Sequence, residues 1–184
     1  MLLSILLMSA FWTVPSQSAP GNYDEAEAYE IYALILSSEY RFKNAKQFVI
    51  RRETDSYQMC LKPNPEFEER LGPAIAAYVE LNKKEWLLQP KLRVDRLYQL
   101  VGKDRFKMIF DQGSWEAYYA EYPQSQGFIQ FSAVGFNKDQ TVAVVYMGYG
   151  CCGLCGAGQF YVLEKVNGKW KPFKWEGESC SWIS

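Results

Sequence analysis

Gln159-Phe160-Tyr161-Val162-Leu163-Glu164-Lys165-Val166-Asn167-Gly168-Lys169-Trp170-Lys171-Pro172-Phe173-Lys174-Trp175 reads as two strands folded about a two-residue turn. Asn-Gly between alternating segments is a type I′ hairpin signal, because both turn residues must take positive φ. With Asn167 and Gly168 as the loop, Val166 faces Lys169 and Glu164 faces Lys171, a favourable cross-strand charge pair that supports this register. Carried along both strands, the register sets Cys180 level with Cys155, with a bulge at Gly177 shifting it by a residue or two.

Working outward, the period of two begins at Gly127. Phe128 to Phe136 forms a strand, Asn137-Lys138-Asp139 a turn, and Thr141 to Tyr149 an apolar run suited to a central strand covered on both faces. Before Gly127 the pattern is mainly helical. Asn22 with Glu25 has the form of a capping box, and the stripe Ala28, Ile31, Tyr32, Ile35, Leu36 predicts a helix over 23–38. Phe48 to Ile50 is a short strand. Asn64-Pro65 opens a second helix to about Lys83, broken at Gly72-Pro73. Leu92 to Leu97 alternates as a strand, and residues 102–122 form two helical pieces divided at Gln112-Gly113. The fold class expected is α+β, with N-terminal helices on one face of a C-terminal antiparallel β-meander.

Residues 1–18 read as a signal peptide. Leu2 to Val14 is apolar but too short to span a bilayer, and Ser16-Gln17-Ser18 places small residues for cleavage after Ser18. The competing reading is a membrane-anchoring or buried N-terminal helix. Residues 19–184 then form a single domain, secreted or periplasmic, with no membrane span after cleavage. With 20 basic and 21 acidic residues the charge is balanced, so nucleic acid is not an expected partner. Histidine is absent, which excludes Ser-His-Asp and Cys-His catalysis and histidine-ligated metals within the chain.

Four of five cysteines lie in the last forty residues, three of them in Gly150-Cys151-Cys152-Gly153-Leu154-Cys155-Gly156. In an exported chain the expectation is at least one bridge from Cys180 to Cys151, Cys152 or Cys155, with Cys60 left over. Alternatives are a redox dithiol of Cys152 and Cys155, or a four-cysteine metal site using Cys60, which oxidation would pre-empt. No metal and no cofactor are expected.

The stretch Gly113 to Ser184 resembles a set of exported bacterial proteins of unassigned function. The resemblance rests on Gly113-Ser114-Trp115, Ser132-Ala133-Val134-Gly135-Phe136-Asn137, the Cys-Gly-Leu-Cys-Gly loop, Gly168-Lys169-Trp170 and Trp182-Ile183-Ser184. The doubled Cys151-Cys152 departs from the single cysteine of that pattern and leaves the pairing open. The closing hairpin and Gly-Lys-Trp also look like the end of the cone-shaped domains named after nuclear transport factor 2, folds that host enzymes and binders alike.

The function expected is a binding or interaction module with an aromatic-lined cavity, its partner a small ligand or a protein. Tyr146 and Tyr149 near the glycine-rich loop, with Trp170 and Trp182, are the ligand-binding candidates, because rings give large contact area with few rotors. The alternatives are an enzyme, either a thiol–disulfide oxidoreductase using Cys152 and Cys155 or a carboxylate-dependent hydrolase using Glu116, and a structural envelope protein.

Overall fold

The Asn167-Gly168 turn forms as read, with φ of 52° and 75°. Val166 pairs with Lys169 and Glu164 with Lys171. A computed structural model describes residues 19–111 and 113–184, so the leader expected over residues 1–18 lies outside the described residues. The order is β1 (Gly21–Tyr23), α1 (Ala26–Ser38), a 3₁₀ turn (Tyr40–Phe42), β2 (Gln47–Arg51), β3 (Lys62–Pro63) and α2 (Pro65–Leu81). Then come β4 (Trp86–Leu88), β5 (Leu97–Val101), α3 (Lys103–Asp111), α4 (Trp115–Glu121), β6 (Phe128–Phe131) and β7 (Gly135–Phe136). β8 (Val142–Gly150), β9 (Ala157–Val166), β10 (Lys169–Pro172), β11 (Gly177–Glu178) and β12 (Ser181–Ile183) complete the chain.

The α+β class holds, but the sheet is mixed. Its strands run β10-β9-β8-β6-β2-β5, with β7 also on β8 and β12 also on β9. The C-terminal strands are antiparallel, whereas β2 is parallel to both β6 and β5. Helices also cover both faces rather than one. β8 alternates: Ala143, Val145 and Met147 pack with the α1 stripe Ala28, Ile31, Tyr32, Ile35 and Leu36. Val142, Val144 and Tyr146 turn to α2 through Leu71, Ala74 and Tyr78. α3 and α4 share that second side, where Phe106, Ile109 and Tyr118 meet Val49 and Val101. A strand buried on both faces needs the near-continuous apolar run read in its sequence.

Four local expectations give way to tertiary pairing. Asn22 does not cap α1; it lies in β1, paired with Leu87 of β4, and the helix starts at Ala26. Gly72-Pro73 does not break α2, which runs through Pro73. Pro73 and Glu69, whose carbonyl the missing N–H leaves without a helical partner, are both exposed, so that carbonyl is not sealed from solvent. The strand expected over Leu92 to Leu97 starts only at Leu97, because pairing to β2 begins there. The strand expected from Phe128 to Phe136 is split at Ser132–Val134. There the Asn82 side chain bonds the backbone of Ala133, and any Cβ at Gly135 would overlap the backbone of Ala74 and Tyr78. Glycine is required at that approach of β7 to α2.

Candidate functional site

Gly148 of β8 and Gly158 of β9 are direct cross-strand partners. Without side chains they leave a shallow floor on the α2 side of the sheet, and aromatic rings lie across it. The indole of Trp182, carried by β12, covers Gly156 and Gly158, while the hydroxyl edge of Tyr146 covers Gly148 and Gly158. Phe128 of β6 covers Gly150, its partner in register. Trp182 Nε1 donates to Tyr146 Oη at 2.8 Å. A Cβ at Gly158 would overlap both of those atoms, so glycine fixes how low the rings sit.

A second wall comes from the irregular segment 54–61. Tyr57 stacks on Tyr146 with centroids 5.3 Å apart and planes 15° from parallel. The Tyr78 hydroxyl holds Tyr57 by its backbone, accepting from its N–H at 3.3 Å and donating to its carbonyl at 3.1 Å. Asp55 is fixed through its N–H to the Phe131 carbonyl at 2.9 Å. Between the walls is a cleft of about 380 Å³ bordered also by Ser56, Gln130, Cys152 and Ser184. That volume falls within the roughly 300–1,000 Å³ usual for small-molecule sites.

Among the described residues Asp55 is the one charged side chain on the cleft wall, and Arg51 Nη1 stands 3.4 Å from its Oδ2. The site therefore carries little net charge. Burial raises the Tyr146 phenol above its ordinary range; the Trp182 hydrogen bond opposes this, and Asp55 and Tyr57 add to it. Tyr146 is thus a neutral phenol that accepts from Trp182 and keeps its own proton as a donor.

Of the four aromatic candidates, Tyr146 and Trp182 come together as the floor. Tyr149 also borders the cleft, but an odd spacing from Tyr146 sends its ring to the opposite face of β8. There it meets Phe42 edge-on at 5.3 Å, and its hydroxyl donates to the Gln126 carbonyl. Trp170 lies elsewhere, 8% exposed, with Nε1 donating to Glu27 Oε2 at 2.7 Å. It clamps β10 to α1. Tyr57, Asp55 and Gln130 were not singled out from sequence. The 54–61 segment has no periodicity, and its one signal is Cys60.

The cysteines pair differently from the expectation. Cys180 bridges Cys60, Cα atoms 6.0 Å apart, and Cys151 bridges Cys155 at 5.4 Å. Cys152 is free and exposed. The cause is a detour: after β10 the chain leaves the sheet and β11 pairs with β3, Gly177 opposite Pro63. β12 rejoins β9 with Trp182 opposite Gly158, five residues out of the hairpin register. Cys180 is thereby delivered to the 54–61 segment instead of the loop. The bridge now joins the two walls, Tyr57 lying three residues before Cys60 and Trp182 two after Cys180.

Glu116 sits exposed on the first turn of α4, its carboxyl held low by the Ser114 side chain, and does not line the cleft. Glu121 is tied to Arg105 by both carboxyl oxygens. A larger hollow of about 560 Å³ is lined by Lys83, Lys84 and Lys103, but its rim includes Ala19 and Pro20, where the described residues begin. No helix among the described residues is long and apolar enough to cross a membrane. Comparison with protein-family models, curated proteins and solved structures gives no match.

Proposed function

We propose that the chain is an exported binding module whose site is the cleft above Gly148 and Gly158, and that it takes a small neutral ligand of the saccharide class. The observation that carries this reading is the half-buried Trp182 indole, held over Gly156 and Gly158 by its bond to the Tyr146 hydroxyl and bordering a cleft of about 380 Å³. The Trp182 indole and the exposed Tyr57 ring offer stacking area to the apolar face of a sugar ring, while Tyr146, buried beneath Tyr57, holds Trp182 in place. Asp55, Ser56, Gln130 and Ser184 supply hydroxyl-pairing groups at the rim. With Asp55 compensated by Arg51 and no basic side chain on the wall among the described residues, an anionic ligand gains nothing there. The leader-like residues 1–18 and two disulfides support export.

Calorimetric titration of the folded protein with neutral mono- and oligosaccharides tests both parts. The expected result is binding to at least one sugar, lost in Trp182→Ala with the disulfides intact. Binding that survives Trp182→Ala removes the cleft as the site. Absence of binding across the panel removes the saccharide class.

A further inference from the structure

Three sulfurs share one disulfide at the edge of this cleft. The Sγ atoms of Cys151, Cys152 and Cys155 all lie within 4.8 Å of one another. Cys151 and Cys155 are bonded, and Cys152 is free, exposed and part of the cleft wall. The backbone N–H of Leu154 donates to Cys152 Sγ at 3.4 Å. Gly153, between them, has open space around it.

We propose that this loop is a thiol–disulfide exchange site in which the free thiol moves between Cys152 and Cys151. The Cys152 thiolate attacks Cys155 Sγ, a Cys152–Cys155 bond forms, the Cys151–Cys155 bond breaks, and Cys151 leaves as thiolate. One S–S bond replaces another, no electrons are gained or lost, and the proton given up by Cys152 is taken up by Cys151. Attack at Cys155 is the productive direction. Adjacent Cα atoms are about 3.8 Å apart, below the roughly 4.4–6.8 Å that a disulfide spans, so a Cys151–Cys152 bond is disfavoured. Cys155 is three residues from Cys152 and four from Cys151, and its Sγ lies within 4.8 Å of both of theirs.

The doubled cysteine thereby acquires a role. In one isomer the cleft presents a nucleophilic thiol at Cys152. In the other that sulfur is closed into a disulfide, and the thiol retreats to half-buried Cys151, whose carbonyl the Tyr119 hydroxyl holds at 2.8 Å. Nothing in this depends on what occupies the cleft.

The test is thiol mapping of the full folded protein, purified without reductant. Samples are held at about pH 8, where thiolates form, then quenched in acid, alkylated and sequenced by mass spectrometry. Label on both Cys151 and Cys152 in separate molecules is the expected result. Cys151→Ser should close a Cys152–Cys155 bond and lose all label from the loop, while Cys152→Ser leaves the Cys151–Cys155 bond alone. An intact Cys60–Cys180 bridge in each variant shows that folding survives. Label confined to Cys152 at every time, label on all three sulfurs, label on none, or Cys151→Ser with both remaining thiols free overturns the proposal.

Discussion

Trp182 donates its indole N–H to the Tyr146 hydroxyl across 2.8 Å, joining the last strand of the chain to the middle of the sheet. Both rings rest on glycine, and the bond fixes their edges over Gly158. Tyr146→Phe removes the acceptor while keeping the ring. It should cost about 1 kcal/mol, as for a typical part-buried hydrogen bond, and redistribute tryptophan emission. Gly158→Ala should do more, since its Cβ overlaps both polar atoms and must expel one ring. Urea unfolding and fluorescence of the two variants check this order, and an unchanged emission in Gly158→Ala would refute it.

Removing the wall-to-wall bridge should destabilise the domain and open the cleft together. Cys60 and Cys180 are 120 residues apart in sequence. A bridge closing so long a loop contributes about 2–4 kcal/mol in most proteins. The double variant Cys60→Ser, Cys180→Ser is expected to lose that much by denaturant unfolding. Proteolysis at the 54–61 segment should quicken as Tyr57 is released. Removing the short Cys151–Cys155 bridge should cost clearly less.

Acid sensitivity should concentrate at Glu27. Lys165 first, then Trp170, hold its carboxyl below the ordinary value of 4.5, against the opposing effect of burial. A lowered folded value means stability that is present above about 4.5 and is lost as pH falls through the folded value. Glu27→Gln should therefore cost roughly 1–2 kcal/mol near neutrality, a part-exposed charged pair, and almost nothing at low pH. Stability curves of the two proteins that stay parallel down to acid pH would contradict this.

Alkaline stability should follow the buried tyrosines. Burial raises Tyr23, Tyr32, Tyr118 and Tyr161 well above the ordinary phenol value and pushes Tyr78 up to about 12. The folded values lie above the unfolded value near 10, so this stability is complete below about 10 and is lost as pH rises towards 12. Tyrosinate absorbance should lag in the native protein relative to the denatured chain. Coincident titrations would show the phenols to be accessible.

Much of the strand framework was legible because its causes are local. Asn167-Gly168 sets two positive φ values by itself, and the apolar run of β8 follows from its own burial on both faces. The register beyond Pro172 was not legible, since β11 leaves the hairpin to pair with β3. Tyr146 and Trp182 could be singled out as aromatic residues near the glycine loop. Parity along β8 already separates Tyr149 from Tyr146, but sequence does not say which face is open. Trp170 carried the same aromatic signal and became a clamp on Glu27, because α1 covers that side.

By itself the sequence determined the α+β class, the hairpin register at Glu164 and Lys171, the exclusion of histidine chemistry and the crowding of sulfur near the end of β8. Only the tertiary structure decided which sulfurs pair, that helices cover both faces, and that Tyr57 closes over Tyr146. Turn and strand patterns follow from the steric limits of neighbouring residues. Disulfide partners and cleft walls are set by where distant segments return to the sheet, and a five-residue shift after Pro172 sends Cys180 to Cys60.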